Sequence, residues 1–140
     1  MDGRNCKRRI DLQKITLSQS IKKTLIQHAE NENPNESCAI LYGDGDTVSD
    51  VFLTKNIEES PVNFTISNDQ LIEGYKIAEE KKLQVIGIFH SHPNSEAYPS
   101  STDKKFMHSN PVVWIIYSGV NKNFKAYVLE SDVLEIPIEN

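Results

Sequence analysis

Two stretches of the chain are largely apolar and rich in β-branched residues: Leu83-Gln84-Val85-Ile86-Gly87-Ile88-Phe89 and Val112-Val113-Trp114-Ile115-Ile116-Tyr117. Both read as buried strands. A shorter apolar run, Cys38 to Tyr42, is followed by Gly43-Asp44-Gly45-Asp46, which predicts a hairpin returning along about Val48 to Thr54. Helical spacing instead governs Leu17, Ile21, Leu25, Ile26 and Ala29, with Ser18 or Ser20 as N-cap and a stop near Asn31-Glu32-Asn33-Pro34. After the polar connection Glu58-Glu59-Ser60-Pro61 and the short run Phe64-Thr65-Ile66, Ser67-Asn68-Asp69-Gln70 has the pattern of a capping box. The helix it opens has an apolar face at Leu71, Tyr75 and Ala78 and a solvated end at Glu79-Glu80-Lys81-Lys82. A short helix from Thr102 to about Ser109, capped by Ser101, is expected next. Phe124 to Leu129 alternates as an edge or half-exposed strand does, and a final strand is expected over Val133 to Ile138. The sequence contains no internal repeat.

At 140 residues the chain is one ordinary domain, able to bury a core without disulfides. We expect a flexible basic segment over 1–12, carrying Arg4, Lys7, Arg8 and Arg9, and a folded domain over 13–140. The net charge of −5 argues against binding nucleic acid, and no apolar run reaches the length of a membrane span. No apolar segment follows the basic cluster as a signal peptide would require, so the cytoplasm is the expected compartment. Of the two cysteines, Cys38 reads as a buried structural thiol and Cys6 as part of the polar terminus, with no chemistry assigned to either.

The chemistry lies at the exit of the first apolar strand, in His90-Ser91-His92-Pro93. Side chains alternate along an extended backbone, so His90 and His92 point the same way and Ser91 the opposite way. Asp103, returned by a loop containing Pro93 and Pro99, is the candidate third ligand. Two imidazoles and a carboxylate suit zinc and leave a position open for water, the arrangement of a catalytic rather than a structural ion. The ordinary reading of a histidine is a partly buried side chain. His28, in the first helix, and His108, near the end of the third, take that reading.

His90-Ser91-His92-Pro93, six further residues, then Ser100-Ser101-Thr102-Asp103 resembles the metal signature of the JAMM, or MPN-plus, zinc isopeptidases. Glu36-Ser37-Cys38-Ala39-Ile40-Leu41-Tyr42-Gly43 is similar to that family's upstream Glu-x-x-Gly-x-Leu-x-Gly, with Ala39 at the usual glycine. From about Ile15 onward the elements follow the family's order, in the manner of a minimal prokaryotic-type member. The resemblance implies an α/β fold: a single MPN-type, cytidine-deaminase-like domain with a central mixed sheet flanked by helices.

It also implies one zinc ion on His90, His92 and Asp103, Glu36 as the proton-transferring base, and Ser100 as donor to the developing oxyanion. Glu36 owes its place in this set to the resemblance alone, since by its local sequence it is a solvent-facing glutamate. The implied activity is hydrolysis of the amide bond after the C-terminal tail of ubiquitin, a ubiquitin-like modifier or a sulfur-carrier protein, with such conjugates as partners. Whether the active form is a monomer or a homodimer is open. Two other readings stand beside it: a non-catalytic MPN-type scaffold, and a non-haem iron enzyme, since two histidines and a carboxylate also form a facial triad.

Overall fold

A computed structural model describes residues 12–140; the expectations for Cys6 and for the basic residues Arg4, Lys7, Arg8 and Arg9 fall outside them. The described residues form β1 (Ile15–Thr16), α1 (Gln19–Glu32), β2 (Cys38–Asp44), β3 (Thr47–Thr54), α2 (Asn68–Lys81), β4 (Gln84–His92), α3 (Ser101–Ser109), β5 (Val113–Ser118), β6 (Asn123–Leu129), β7 (Val133–Ile136) and β8 (Ile138–Glu139). The strands make one mixed sheet in the order β7-β6-β5-β4-β2-β3-β1-β8. β4 and β5 run parallel, joined by a crossover through α3, whereas β2 is antiparallel to both β3 and β4. Among the described residues, no helix is long and apolar enough to cross a membrane.

The sheet buries both faces. On one, Leu25 and Ala29 of α1 pack with Ala39, Leu41, Phe89, Ile115 and Val128. On the other, Ala78 of α2 and Met107 of α3 pack with Ile40, Ile88, Trp114, Ile116 and Tyr127. Double burial explains the near-continuous apolar character of β4 and β5. Ala39, fully buried and extended, contributes to the first face; no positive φ occurs there, so the methyl group in place of the family's glycine is accommodated.

Several local expectations are corrected. Ser67 does cap α2, accepting from the Gln70 backbone N–H at 3.1 Å, but the Gln70 side chain accepts from Lys55 N–H instead of closing the capping box. Tyr75 is 57% exposed, and the inner face of α2 runs through Gly74, where a Cβ would lie 2.5 Å from Ile40 Cδ1. Ser100, not Ser101, caps α3. β6 is an interior strand, paired on both sides by β5 and β7. The final strand is two: β7 pairs with β6 at one end of the sheet and β8 with β1 at the other. Only Pro137 separates them, and a single residue spans about 3.5 Å, so the sheet curls until its two ends adjoin. The Ile15 N–H donates to Pro137 O at 3.0 Å across that junction.

Candidate metal and catalytic site

The register of β2 against β4 assembles the site. Cys38 lies opposite His90 in an antiparallel pair, so stepping back two residues and forward two brings Glu36 opposite His92, with all three side chains on the α2/α3 face. On the other face, Ser91 Oγ accepts from both the Ser37 N–H and the Ser37 hydroxyl at 2.9 Å, which fixes the register next to the reactive side chains. The third contribution comes from the start of α3. Ser100 Oγ accepts from the Asp103 N–H at 3.1 Å, and Asp103 Oδ2 accepts from the Ser100 N–H at 2.9 Å, a reciprocal capping box. That cap aims the Asp103 carboxylate at the strand exit.

Three atoms converge as a result: His90 Nε2 and His92 Nε2 are 3.1 Å apart, and Asp103 Oδ2 lies 3.0 and 3.1 Å from them. Glu36, His90 and His92 also offer ligand atoms within 4.8 Å of one another. The five residues singled out from sequence therefore lie together; Glu36, His90, His92 and Asp103 are buried, and Ser100 is exposed at the rim.

The proton inventory tests whether a cation fits. His92 Nδ1 donates to the Glu96 carbonyl at 2.8 Å, which leaves its Nε2 as a lone pair in the neutral ring. A neutral His90 brings at most one proton to the triangle, and that cannot join three mutually adjacent acceptors. A small cation would satisfy all three, and nitrogen and carboxylate donors in this number suit zinc. Deep in the same site, Glu36 Oε1 and His90 Nδ1 have no hydrogen-bond partner among the described residues.

Without a cation, the electrostatics draw a proton toward His92 in its place. Burial pushes the Glu36 carboxyl up to about 8; Asp103 and Glu58 add to the rise and His92 opposes it. Burial holds His90 below the usual imidazole range. For His92 burial acts downward, yet hydrogen bonds to Asp103 and the Glu96 carbonyl, with the field of Glu36, carry it upward. Burial alone would raise Asp103, but the two imidazoles and the Ser100 N–H together hold it well below the usual carboxylate range. A cation placed among these groups would favour the ionised form of Glu36.

Two contributors were not legible in sequence. Phe64 stacks on the His90 ring, with centroids 4.6 Å apart, and also packs against Trp114 and Phe106, closing the site on that side. Asn56, 1% exposed, donates to the Glu36 carbonyl at 3.0 Å. Neither carries a motif; only the Phe64-Thr65-Ile66 run hinted at a buried segment. His28 is half-buried in α1, with Nε2 3.0 Å from Cys38 O and 3.1 Å from Thr54 O, where it ties the helix to the β2–β3 hairpin. His108 is exposed, and Cys38 is a free buried thiol pushed up to about 11 by that burial.

Known proteins resemble this chain in sequence and fold. The chain is 34% identical over 94 residues to the desampylase of Pyrococcus furiosus, covering 67% of this chain and 66% of that protein. It is 27% identical over 93 residues to the CysO-cysteine peptidase of Mycobacterium tuberculosis, covering 65% and 64%. The matched segment thus spans just under two thirds of these relatives' length. The solution structure of protein DSY2949 from Desulfitobacterium hafniense superposes with a TM-score of 0.80 at 29% identity, over 90% of this chain and 94% of the other. Residues 18–130, which carry every group of the site, match the family model described as prokaryotic homologs of the JAB domain. The chain belongs to that family of prokaryotic JAB-domain proteins.

Proposed function

We propose that the protein is a zinc-dependent peptidase or isopeptidase that hydrolyses the amide bond after the C-terminal tail of a ubiquitin-like modifier or sulfur-carrier protein. The observation that supports this most directly is the convergence of His90 Nε2, His92 Nε2 and Asp103 Oδ2 at 3.0 to 3.1 Å beside the unpartnered Glu36 Oε1. The related desampylase and CysO-cysteine peptidase support the choice of substrate class.

His90, His92 and Asp103 would hold the metal. When bound, zinc supplies Lewis acidity, polarising the scissile carbonyl and making water nucleophilic near neutral pH. The rest belongs to the chain. Glu36 Oε1 takes the proton of the attacking water and delivers it to the departing amine, so the carboxyl returns to its starting state. Its buried position favours both events by keeping the proton affinity close to working pH. Ser100 Oγ accepts from the Asp103 N–H, which leaves its own hydrogen available to the oxygen that gains negative charge as the carbonyl is attacked. Ser100 is exposed, so a substrate can meet that hydrogen without prior rearrangement. The Glu96 carbonyl holds the His92 ring in the tautomer that keeps Nε2 free.

The carboxylate-and-hydroxyl pair favours hydrolysis over oxygen activation, which has no use for Glu36 and Ser100. A scaffold would not require a complete ligand set. The expected partners are ubiquitin-like conjugates in the cytoplasm, with neither nucleic acid nor membrane engaged. The test is to incubate zinc-loaded protein with ubiquitin-like fusion proteins, with and without a chelator. Cleavage at the fusion junction that is abolished by chelation and restored by zinc is expected; cleavage indifferent to the chelator would overturn the proposal.

A further inference from the structure

We propose that Asn56 is a positioning residue of this site, its one carboxamide holding the Glu36 backbone and the aromatic cover over His90 in a fixed relation. The amide is 1% exposed and used on both sides. Nδ2 donates to the Glu36 carbonyl at 3.0 Å and to the Asn63 carbonyl at 2.9 Å, while Oδ1 accepts from the Glu58 N–H at 3.0 Å and the Thr65 N–H at 3.1 Å. Those partners bracket a loop, residues 57–65, that leaves the end of β3 and returns beside the site. Phe64 lies between two of the residues so held, and it is the ring stacked on His90.

The loop has bonds of its own, the Ile57 N–H donating to the Thr65 carbonyl at 3.1 Å and Ser60 Oγ accepting from the Val62 and Asn63 N–H groups, and Asn56 ties that loop to the site. Its apolar side chains Ile57 and Val62 are 54% and 65% exposed, so Phe64 is its one deeply buried anchor. Glu59 adopts a φ of 49°, a conformation that side-chain-bearing residues avoid and that surrounding bonds must enforce. The Glu36 N–H is itself donated to a loop carbonyl, that of Ser60, at 2.8 Å. Glu36 is therefore held through its N–H by the loop and through its C=O by Asn56, which also closes the loop. Releasing it frees the base and uncovers a metal ligand together. It leaves untouched the hydrogen bonds that orient His92 and Asp103.

This deepens the hydrolytic reading and rests on it for the rate effect, but its structural half has a separate reporter. The protein has a single tryptophan, Trp114, whose ring is 6.0 Å from Phe64 and 5.8 Å from His90. The experiment compares wild type, Asn56→Asp, Asn56→Ala and Val128→Ala, the last a buried residue packed on the opposite face of the sheet, as a control for lowered stability. Asn56→Asp turns a donor into a charged acceptor facing two carbonyls and is the severe variant. Asn56→Ala only deletes bonds and carries the test if the first does not fold.

We expect the Asn56 variants to shift Trp114 emission to the red, to keep zinc affinity within about tenfold, and to lower kcat by roughly ten- to a hundredfold with KM little changed, as a misplaced base does. Val128→Ala should lower the melting temperature and change none of these. Unshifted emission, or a kcat within twofold of wild type on a substrate that wild type cleaves, overturns the proposal. A wild type that cleaves nothing would defeat the hydrolytic reading instead, and the emission arm would still decide whether Asn56 holds the loop.

Discussion

Replacing Glu36 by glutamine removes the proposed base while preserving its shape. General-base catalysis contributes typically 10²- to 10⁴-fold, so turnover should fall by about that factor with zinc stoichiometry unchanged. The metal-free protein should respond in the opposite sense. The Glu36 carboxyl is raised from 4.5 to about 8, so between those pH values the folded chain keeps a proton that the unfolded chain has lost. Stability of the metal-free wild type therefore declines as pH rises through that window, and above it the accumulated cost is on the order of 5 kcal/mol. Glutamine, an analogue of the protonated acid, has no such slope. Metal-free Glu36→Gln should melt on the order of 10 °C above wild type at pH 8 and alongside it at pH 4.5, the reference value of the carboxyl. Added zinc should narrow the gap, because a nearby positive charge favours the carboxylate. The assay is thermal unfolding of both proteins with and without zinc across pH, alongside single-substrate kinetics. Turnover within tenfold of wild type would remove Glu36 from the proton transfers, and coincident metal-free melting curves at pH 8 would show that its carboxyl is not desolvated.

Removing any one of the three converging donors should abolish tight zinc binding: His90→Ala and Asp103→Ala are expected to lose both metal and activity, and an equilibrium zinc titration showing unchanged affinity would disprove the ligand set. Ser100→Ala should lower kcat by roughly a hundred- to a thousandfold and cost about 1 kcal/mol through the lost cap of α3, with Ser100→Thr recovering the stability; unaltered kcat in the alanine variant would exclude the hydroxyl from catalysis. Ser91→Ala leaves the buried Ser37 N–H and hydroxyl without their acceptor and should destabilise by about 1–3 kcal/mol in urea unfolding, where a change below a few tenths would deny the pair its structural role. Gly43→Ala would set a Cβ 1.9 Å from the Thr47 carbonyl oxygen inside the hairpin, and a variant as stable as wild type would contradict that close approach; about 1–3 kcal/mol is expected.

What the residues disclosed in advance was largely what periodicity and short motifs encode. The two apolar strands and the first two helices lie where hydrophobic spacing places them, and the hairpin and the third helix lie where turn and capping residues do, the last with its cap one residue earlier. The alternation rule also puts His90 and His92 on one face. Glu36 was different: its burial depends on pairing with a strand some fifty residues away, and nothing in its neighbours records that register. Asn56 and Phe64 were invisible for the same reason, since their partners are backbone groups and a ring supplied by other segments. Tyr75 misled because Gly74, with no side chain to count as apolar, is the residue that meets Ile40. The break at Pro137 was hidden because apolar residues continue across it, while the pairing partners on its two sides lie at opposite ends of the sheet.

That break has a dynamic consequence. β1 and β8 hold each other by two residue pairs, Ile15 with Ile138 and Thr16 with Glu139, drawn from nearly opposite ends of the described chain. So short a contact, joining residues so distant in sequence, is the seam at which opening costs least, and its amides should exchange with solvent deuterium first. β2 and β4, which hold Glu36 opposite His92, lie several strands inward on both sides. Fraying at the rim can thus come and go on a timescale faster than global unfolding while the candidate metal site stays shut, and the slowest-exchanging amides should be found along Cys38–Leu41 and Gly87–His90.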